Sequence, residues 1–187
     1  EHPQVNGESY YHYALNRNKE SVSFNLKDPE VQARFYDLIK KADVLVENYR
    51  PGVAKRLGID FETLHEINPK LVYVSFSAYG QNDPRSLDAL HDINIVAKTG
   101  YYDLTKGAVA LLQPADLSAA MVGLQGALTG LIARDEAGGT HIDVSMYDSG
   151  GTPCLIAVGF SMVKNLLPKC VNIPQWATTS TTPRMAA

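Results

Sequence analysis

Short apolar runs alternate with helical segments over the first half of the chain, and this alternation constrains the fold more than any other feature. Residues 21–26 alternate between apolar and polar side chains, which is the period of a strand. Residues 43–47 and 71–77 are short apolar runs that each follow a helical segment, as parallel strands covered on both faces do. The order strand, helix, strand, helix, strand predicts an α/β fold with a Rossmann-like parallel sheet and flanking helices.

Capping residues mark where the helices begin and end. Asp28 followed by Pro29 predicts the start of one helix, and Asp60 predicts the start of another. From Asp116 onward, apolar residues recur at helical spacing, which predicts a long amphipathic helix that ends at Gly138. Three glycines within it permit close backbone packing: Gly123, Gly126 and Gly130.

Composition excludes several classes of partner. The net charge of −3 provides no basic field for phosphate backbones, so we expect no nucleic acid partner. The longest apolar run, residues 154–163, is shorter than the ~20 residues that span a bilayer, so we expect no membrane partner. Cys154 and Cys170 lack metal-type or disulfide-type spacing, which favours buried or free thiols over a disulfide or a metal site and indicates a cytoplasmic location. The histidines are scattered singly, so no metal site is expected.

Two stretches carry the residues suited to chemistry. The first is Asn48-Tyr49-Arg50, which follows a predicted strand and so lies at the carboxyl edge of the sheet, where ligands bind in open α/β folds. The second contains His91, followed directly by a carboxylate, and then Asp116 at a helix start. The alternative interpretations are that Asp116 is an ordinary N-cap held ionised by the helix dipole, and that His91 is a satisfied buried histidine.

Several segments occur in the order found in one known family, and the chain resembles the family III CoA-transferases, the group that includes alpha-methylacyl-CoA racemase. The resemblance covers about residues 14–165. The segments are Asn16-Arg17-Asn18-Lys19, Val46-Glu47-Asn48-Tyr49-Arg50-Pro51-Gly52, Asn68-Pro69-Lys70-Leu71-Val72-Tyr73-Val74-Ser75, His91-Asp92-Ile93-Asn94 and Ile142-Asp143-Val144-Ser145-Met146.

The resemblance implies a coenzyme A-binding Rossmann-like part, a second smaller domain and an interlocked homodimer. Because the family's members are longer, we expect residues 1–169 to be a partial domain whose first strand and second domain are missing. Residues 1–13 read as a loop that enters this fold. Residues 170–187 read as a divergent tail, disordered or produced by a frameshift, and resequencing the gene would test that hypothesis.

The resemblance also implies roles for particular residues. Leu15, Asn48, Tyr49 and Arg56 match positions that contact coenzyme A, and Arg50 lies in the same motif. Arginines suit the phosphates of coenzyme A, and a tyrosine ring suits its adenine or pantetheine part. The alternatives are that Arg56 pairs with a surface acid and that Tyr49 belongs to the core.

Asp116 matches the family's catalytic aspartate, and three functions follow from it. The first is racemase-like: His91 and Asp116 remove and return the proton on the carbon beside the thioester of a 2-methylacyl-CoA, through an enolate. Backbone amides at the helix start would bind the enolate oxygen. The second is CoA transfer between carboxylic acids, with Asp116 as the nucleophile. The third is a truncated, inactive chain that only binds coenzyme A. The presence of His91 favours the first, since transferases usually carry an aromatic residue there.

Overall fold

The computed structural model describes residues 4–105, 107 and 112–151, which form an α/β unit. In chain order, its elements are β1 Gln4–Val5, β2 Glu8–Ser9, α1 Tyr10–Leu15, α2 Pro29–Ile39, β3 Val44–Glu47, α3 Val53–Arg56, α4 Phe61–Ile67, β4 Val72–Ser77, α5 Asp92–Lys98, α6 Tyr101–Leu104, α7 Pro114–Ala137 and β5 Thr140–Ser145. Residues 146–151 are helical as well. The tail from residue 170 lies outside the described residues.

A three-stranded parallel sheet forms the centre, in the order β3-β4-β5. Val44 of β3 pairs with Val72 of β4, and Val72 pairs in turn with Thr140 of β5. The strands are short and helices cover both faces, so β4, which lies in the middle, is almost entirely buried. The predicted α/β fold with a parallel sheet and flanking helices is confirmed.

Each face of the sheet has its own apolar core. On one face, α2 and α4 pack against a cluster that includes Leu64, Leu71 and Tyr73, all buried. On the other face, α7 packs against Val74 and Val144.

The close approach of α7 to the sheet depends on glycines, as the sequence predicts. Gly126 lies over Ile142 and Gly130 lies over Val72, and in both places an added Cβ would be within 3.0 Å of a side chain. Gly123 lies against the ring of Phe76 in the same way. A methyl group would not fit at these positions. Because glycine has no side chain, α7 can lie flat on β4 and β5.

The helix starts predicted at Asp28 and Asp60 and the helix end predicted at Gly138 are confirmed. Asp28 accepts a hydrogen bond of 2.9 Å from the amide of Glu30, with Pro29 at the first helical position. Asp60 accepts one of 3.3 Å from the amide of Thr63. Gly138 ends α7 with φ of 80°.

Residues 21–26 were expected to form a strand, and this prediction is wrong. Among the described residues no strand pairs with them, and a strand exists only where its backbone groups find a partner. Their alternating side chains are still used for packing. Phe24 lies edge-on to Phe35 at 5.9 Å between ring centroids, and Leu26 packs beside the core of that face.

The opening of the chain holds more structure than the predicted loop. Strands β1 and β2 pair antiparallel around Asn6 and Gly7, which have φ of 52° and 83°. An Asn-Gly pair with both φ values positive is the usual two-residue hairpin turn, so the signal was present in the sequence. Ser9 then caps α1 by accepting a hydrogen bond of 3.2 Å from the amide of Tyr11.

Most of the apolar stripe predicted on α7 faces away from the sheet. The residues of α7 that are buried are small: Ala115, Ala119, Gly123 and Gly130. Leu131 packs beside the core on the sheet, but the other large residues of the stripe are exposed: Leu117, Met121, Leu124, Leu128 and Ile132. By length and composition alone α7 could cross a membrane, but core helices of soluble proteins meet the same criteria.

Candidate functional site

A cavity of about 390 Å³ lies at the carboxyl ends of the three sheet strands, beside the starts of α5 and α7. It is bounded by the loop after β3, the end of β4, the segment that leads into α5, and Met146 after β5. Most of the predicted site residues line it together: Asn48, Tyr49, Arg50, His91 and Asp116. Parallel strands bring residues that are distant in sequence to one edge, which explains how these two stretches meet.

Leu15 and Arg56 lie outside this cavity. Leu15 is at the end of α1 and is exposed. Arg56 is at the end of α3, exposed, and within the described part of the chain it forms no ion pair. The alternative that Arg56 pairs with a surface acid is therefore wrong as far as the acids in the described part of the chain are concerned. Contact of Leu15 and Arg56 with coenzyme A stays a prediction.

A buried carboxylate shapes the turn that carries Asn48, Tyr49 and Arg50. Glu47 ends β3, is 8% exposed, and accepts a hydrogen bond of 2.7 Å from the amide of Tyr49. Burial raises the pKa of the Glu47 carboxyl, and the nearby charge of Asp143 adds to the rise, although the Tyr49 amide opposes it. Tyr49 is itself 42% exposed, so the alternative that it belongs to the core is wrong.

Asp116 occupies the third position of α7 and is not its N-cap. The helix begins at Pro114, with Gln113 as the N-cap residue, so the N-cap interpretation of Asp116 is wrong. Proline at the first helical position is the sequence signal that marks this start. Asp116 is partly buried and its side chain lines the cavity, where it is available to a ligand.

The pKa of the Asp116 carboxyl is raised above its ordinary value. Burial is the largest cause, because it disfavours the charged form. The carboxylate of Asp92 adds to the rise, and His91 opposes it. These causes act against the helix dipole, which by itself favours the ionised form of a carboxyl near a helix start.

Asp92, the carboxylate that directly follows His91 and to which the sequence analysis assigned no role, holds the start of α7. Its Oδ2 atom accepts hydrogen bonds from the amides of Ala115, at 2.8 Å, and Asp116, at 3.0 Å. Pro114 has no amide hydrogen, and the amide of Leu117 bonds to the carbonyl of Gln113. The amides at the start of α7 are therefore occupied, and the prediction that they bind an enolate oxygen is not met.

His91 lies at the N-cap position of α5 and is exposed. Its backbone amide donates to Oδ1 of Asn94 at 3.3 Å, which fixes the backbone at the cavity edge. The alternative of a satisfied buried histidine is therefore wrong. Its imidazole lines the same cavity as the Asp116 carboxyl.

Ser77 at the end of β4 is a second residue that the sequence did not point to. It lines the cavity, is 7% exposed, and its hydroxyl finds no hydrogen-bond partner among the described residues. Only the tertiary placement shows this, because a serine at a strand end is unremarkable in sequence. A ligand oxygen could satisfy this hydroxyl.

An arginine clamp holds the loop that forms one wall of the cavity. The guanidinium of Arg85 lies 4.0 Å from the ring centroid of Tyr79 and 5.2 Å from that of Tyr147. Its Nε and Nη2 atoms also donate to the two carboxylate oxygens of Asp83, each at 2.9 Å. These bonds lower the pKa of the Asp83 carboxyl to about 2. The wall residues Ser86 and Asp88 follow directly after this clamp.

Comparison with known sequences identifies relatives for most of the chain. The model of the family described as CoA-transferase family III matches residues 1–169. Acetyl-CoA:oxalate CoA-transferase of Acetobacter aceti is 40% identical over 153 residues, which are 78% of this chain and 39% of that protein. Succinyl-CoA:glutarate CoA-transferase of Homo sapiens is 33% identical, over 79% of this chain and 35% of that protein.

Comparison with solved structures also identifies a relative. A CAIB/BAIF family protein from Brucella suis superposes with a TM-score of 0.77 and 27% identity, covering 89% of this chain and 46% of that one. The chain spans less than half the length of each of these proteins.

Proposed function

Because the chain belongs to CoA-transferase family III, we propose that it carries out the transfer of coenzyme A between carboxylic acids, with an acyl-CoA as the donor. One observation carries this proposal: the Asp116 carboxyl faces a cavity that it shares with Asn48, Tyr49 and Arg50, at the carboxyl edge of a parallel sheet. The relatives that are named coenzyme A transferases support it over the racemase-like function.

The chemistry uses Asp116 as a nucleophile. Its carboxylate attacks the thioester carbonyl, and the thiolate of coenzyme A leaves as a mixed anhydride forms. The thiolate then attacks the aspartyl carbonyl, which releases the first acid and leaves an aspartyl thioester. An acceptor carboxylate attacks that thioester, a second mixed anhydride forms, and the returning thiolate produces the new acyl-CoA and frees Asp116.

Asp116 must be ionised to attack, and this requirement sets the pH dependence. Its raised pKa means that a larger fraction is protonated at a given pH than for an ordinary aspartate. The transfer rate should therefore fall as pH falls through this raised pKa. Once ionised, a partly desolvated carboxylate is a better nucleophile than a fully hydrated one.

Coenzyme A is held by the residues after β3 in this proposal. The Arg50 guanidinium is exposed at the cavity edge, where it can pair with a phosphate, and the half-exposed ring of Tyr49 offers a face for stacking. The Ser77 hydroxyl, which needs a partner, can donate to an oxygen of the acyl group. Leu15 and Arg56 would contact parts of coenzyme A that extend beyond the cavity.

The racemase-like function remains a second candidate because His91 and Asp116 line one cavity and interact electrostatically. An imidazole and a carboxyl placed this way can remove and return the proton beside a thioester. The donors for the enolate oxygen would have to come from groups other than the Ala115 and Asp116 amides, which Asp92 holds.

Mass spectrometry in deuterated water separates the candidates. The protein is incubated with a 2-methylacyl-CoA and a free carboxylic acid as acceptor. We expect a new acyl-CoA without deuterium, and we expect Asp116→Asn to abolish it while the exposed Glu66→Gln, on α4, retains it. Deuterium at the alpha carbon without a new thioester would instead establish the racemase-like function. Neither product, with coenzyme A binding retained in calorimetry, would leave the inactive, binding-only alternative.

A further inference from the structure

We propose that Asp92 is the positioning residue for Asp116: its buried carboxylate ties the start of α7 to the start of α5 and thereby sets where the Asp116 carboxyl lies in the cavity. Nothing in the proposed chemistry requires Asp92 to touch the substrate. Its part in catalysis rests on the proposed function, whereas its hold on α7 does not.

The geometry of the helix start supports this assignment. The first amides of a helix have no partner within it, and a side chain at the N-cap commonly satisfies one of them. Gln113, the N-cap residue of α7, makes no such bond. Asp92, which belongs to α5, performs the capping instead. Its Oδ2 atom accepts hydrogen bonds from the amides of Ala115 and Asp116, at 2.8 and 3.0 Å.

The surrounding packing keeps Asp92 in place. Asp92 is 9% exposed, and the residues next to it form one apolar cluster that joins α5 to α7: Ile95, Val96 and Ala115 are all buried there. A charged acceptor inside such a contact strengthens its hydrogen bonds, because little water competes. The first turn of α7, which carries Asp116, is therefore held by a bond pair and not only by side-chain packing.

The same carboxylate also acts on the charge of Asp116. Two negative groups at close range disfavour each other, and Asp92 raises the pKa of the Asp116 carboxyl, after burial, while His91 lowers it. The titratable and charged groups that share the cavity with Asp116 are Tyr49 and Arg50 after β3, Asp88 in the loop before α5, and His91 and Asp92 at the start of α5.

Two substitutions separate the hydrogen bonds that Asp92 accepts from α7 from the effect of its charge on Asp116. Asp92→Asn keeps an oxygen that can accept from both amides and removes the charge. Asp92→Ala removes both. Asp88→Asn is the matched control, because it removes one negative charge from the same cavity wall at a residue that makes no bond to α7 among the described residues.

The experiment is a carbon-13 NMR titration of the Asp116 carboxyl, assigned by its loss in Asp116→Asn, with amide exchange measured at Ala115 and Asp116. We expect Asp92→Asn to move the Asp116 midpoint to lower pH, by more than Asp88→Asn does. We expect amide exchange at the two positions to stay slow in Asp92→Asn and to quicken roughly tenfold or more in Asp92→Ala, as loss of a hydrogen bond to a charged group implies.

An unchanged midpoint in Asp92→Asn, or one that moves no further than in Asp88→Asn, would overturn the proposal, because it would mean that the Asp92 carboxylate does not lie beside Asp116 as its two hydrogen bonds to α7 require. So would exchange in Asp92→Ala that matches the wild type. If Asp92→Ala does not fold, the comparison of the Asp116 midpoint between Asp92→Asn and its control Asp88→Asn still tests the proposal. Neither readout needs coenzyme A, so failure of the transfer assay would count against the proposed function and leave this result standing.

Discussion

Two arginines six residues apart lie in different surroundings. Arg50 lines the cavity beside the Asp116 carboxyl, whereas Arg56 projects from the end of α3 outside it. Gly52, with φ of 82°, makes the turn between them and is the N-cap residue of α3. If the proposed function holds, the thioester of coenzyme A lies in the cavity beside Asp116, and we expect a phosphate farther along the same molecule to contact Arg56.

This arrangement predicts that Arg56→Ala weakens binding of coenzyme A and leaves binding of pantetheine, which has no phosphate, unchanged. Loss of a charge-assisted bond to phosphate should weaken affinity roughly tenfold or more. Isothermal titration calorimetry with both ligands measures it. Lys55→Ala is the control, since Lys55 carries the same charge at the neighbouring position but lines a separate cavity beside Glu62. Equal losses in both variants would mean a general charge effect and would contradict the specific role of Arg56.

The entry of β5 into the sheet depends on one residue without a side chain. Gly139 lies directly against the backbone of Leu71, which precedes β4, and its amide donates to the carbonyl of Pro69 at 2.7 Å. Backbone atoms inside a sheet cannot move aside as the end of a side chain can. This contact lets Thr140 pair with Val72 and so aligns the whole of β5.

Gly139→Ala should therefore destabilise the fold by about 1–3 kcal/mol, the usual cost of forcing a methyl group into a packed site. Urea denaturation followed by circular dichroism gives the free energy of unfolding. Glu136→Ala, at an exposed position on the last turn of α7, serves as control and should change stability by less than about 0.5 kcal/mol. A Gly139→Ala variant as stable as the control would show that β5 can shift to accept the methyl group.

At the scale of the whole molecule, α7 is apolar on two sides. Its small residues pack on the sheet, and its larger ones, such as Leu128 and Ile132, are exposed at 52% and 85%. A helix that is apolar all round is usually buried on all sides. A contiguous exposed face of this kind marks a surface that associates with another one.

We expect the isolated chain to self-associate through this face. Leu128→Glu combined with Ile132→Glu should shift the chain towards monomer, because it places two charges on the apolar surface. Size-exclusion chromatography with light scattering measures the mass. The control adds two glutamates at exposed polar positions of the same helix, Gln125→Glu with Thr129→Glu. A chain that is monomeric at all concentrations, or a control that dissociates equally, would contradict this prediction.

What the sequence determined by itself is local. The caps at Asp28 and Asp60 act on amides two or three residues away, so the helix starts follow from neighbouring residues alone. The same holds for the stop at Gly138 and for the apolar runs of β3 and β4. The family motifs also placed most of the candidate site, because they lie at strand ends that a parallel sheet gathers along one edge.

Only the tertiary structure decided the features that depend on distant partners. Residues 21–26 have a strand pattern but no pairing strand among the described residues, and pairing is a non-local condition. The side of α7 that packs on the sheet was set by the fit of its glycines against β4 and β5 and not by hydrophobicity, since both sides are apolar. The hydrogen bonds that Asp92 accepts from Ala115 and Asp116 join residues more than twenty positions apart. Burial, and after it the charge of Asp92, raises the pKa of the Asp116 carboxyl, which the dipole of its own helix would favour in the ionised form.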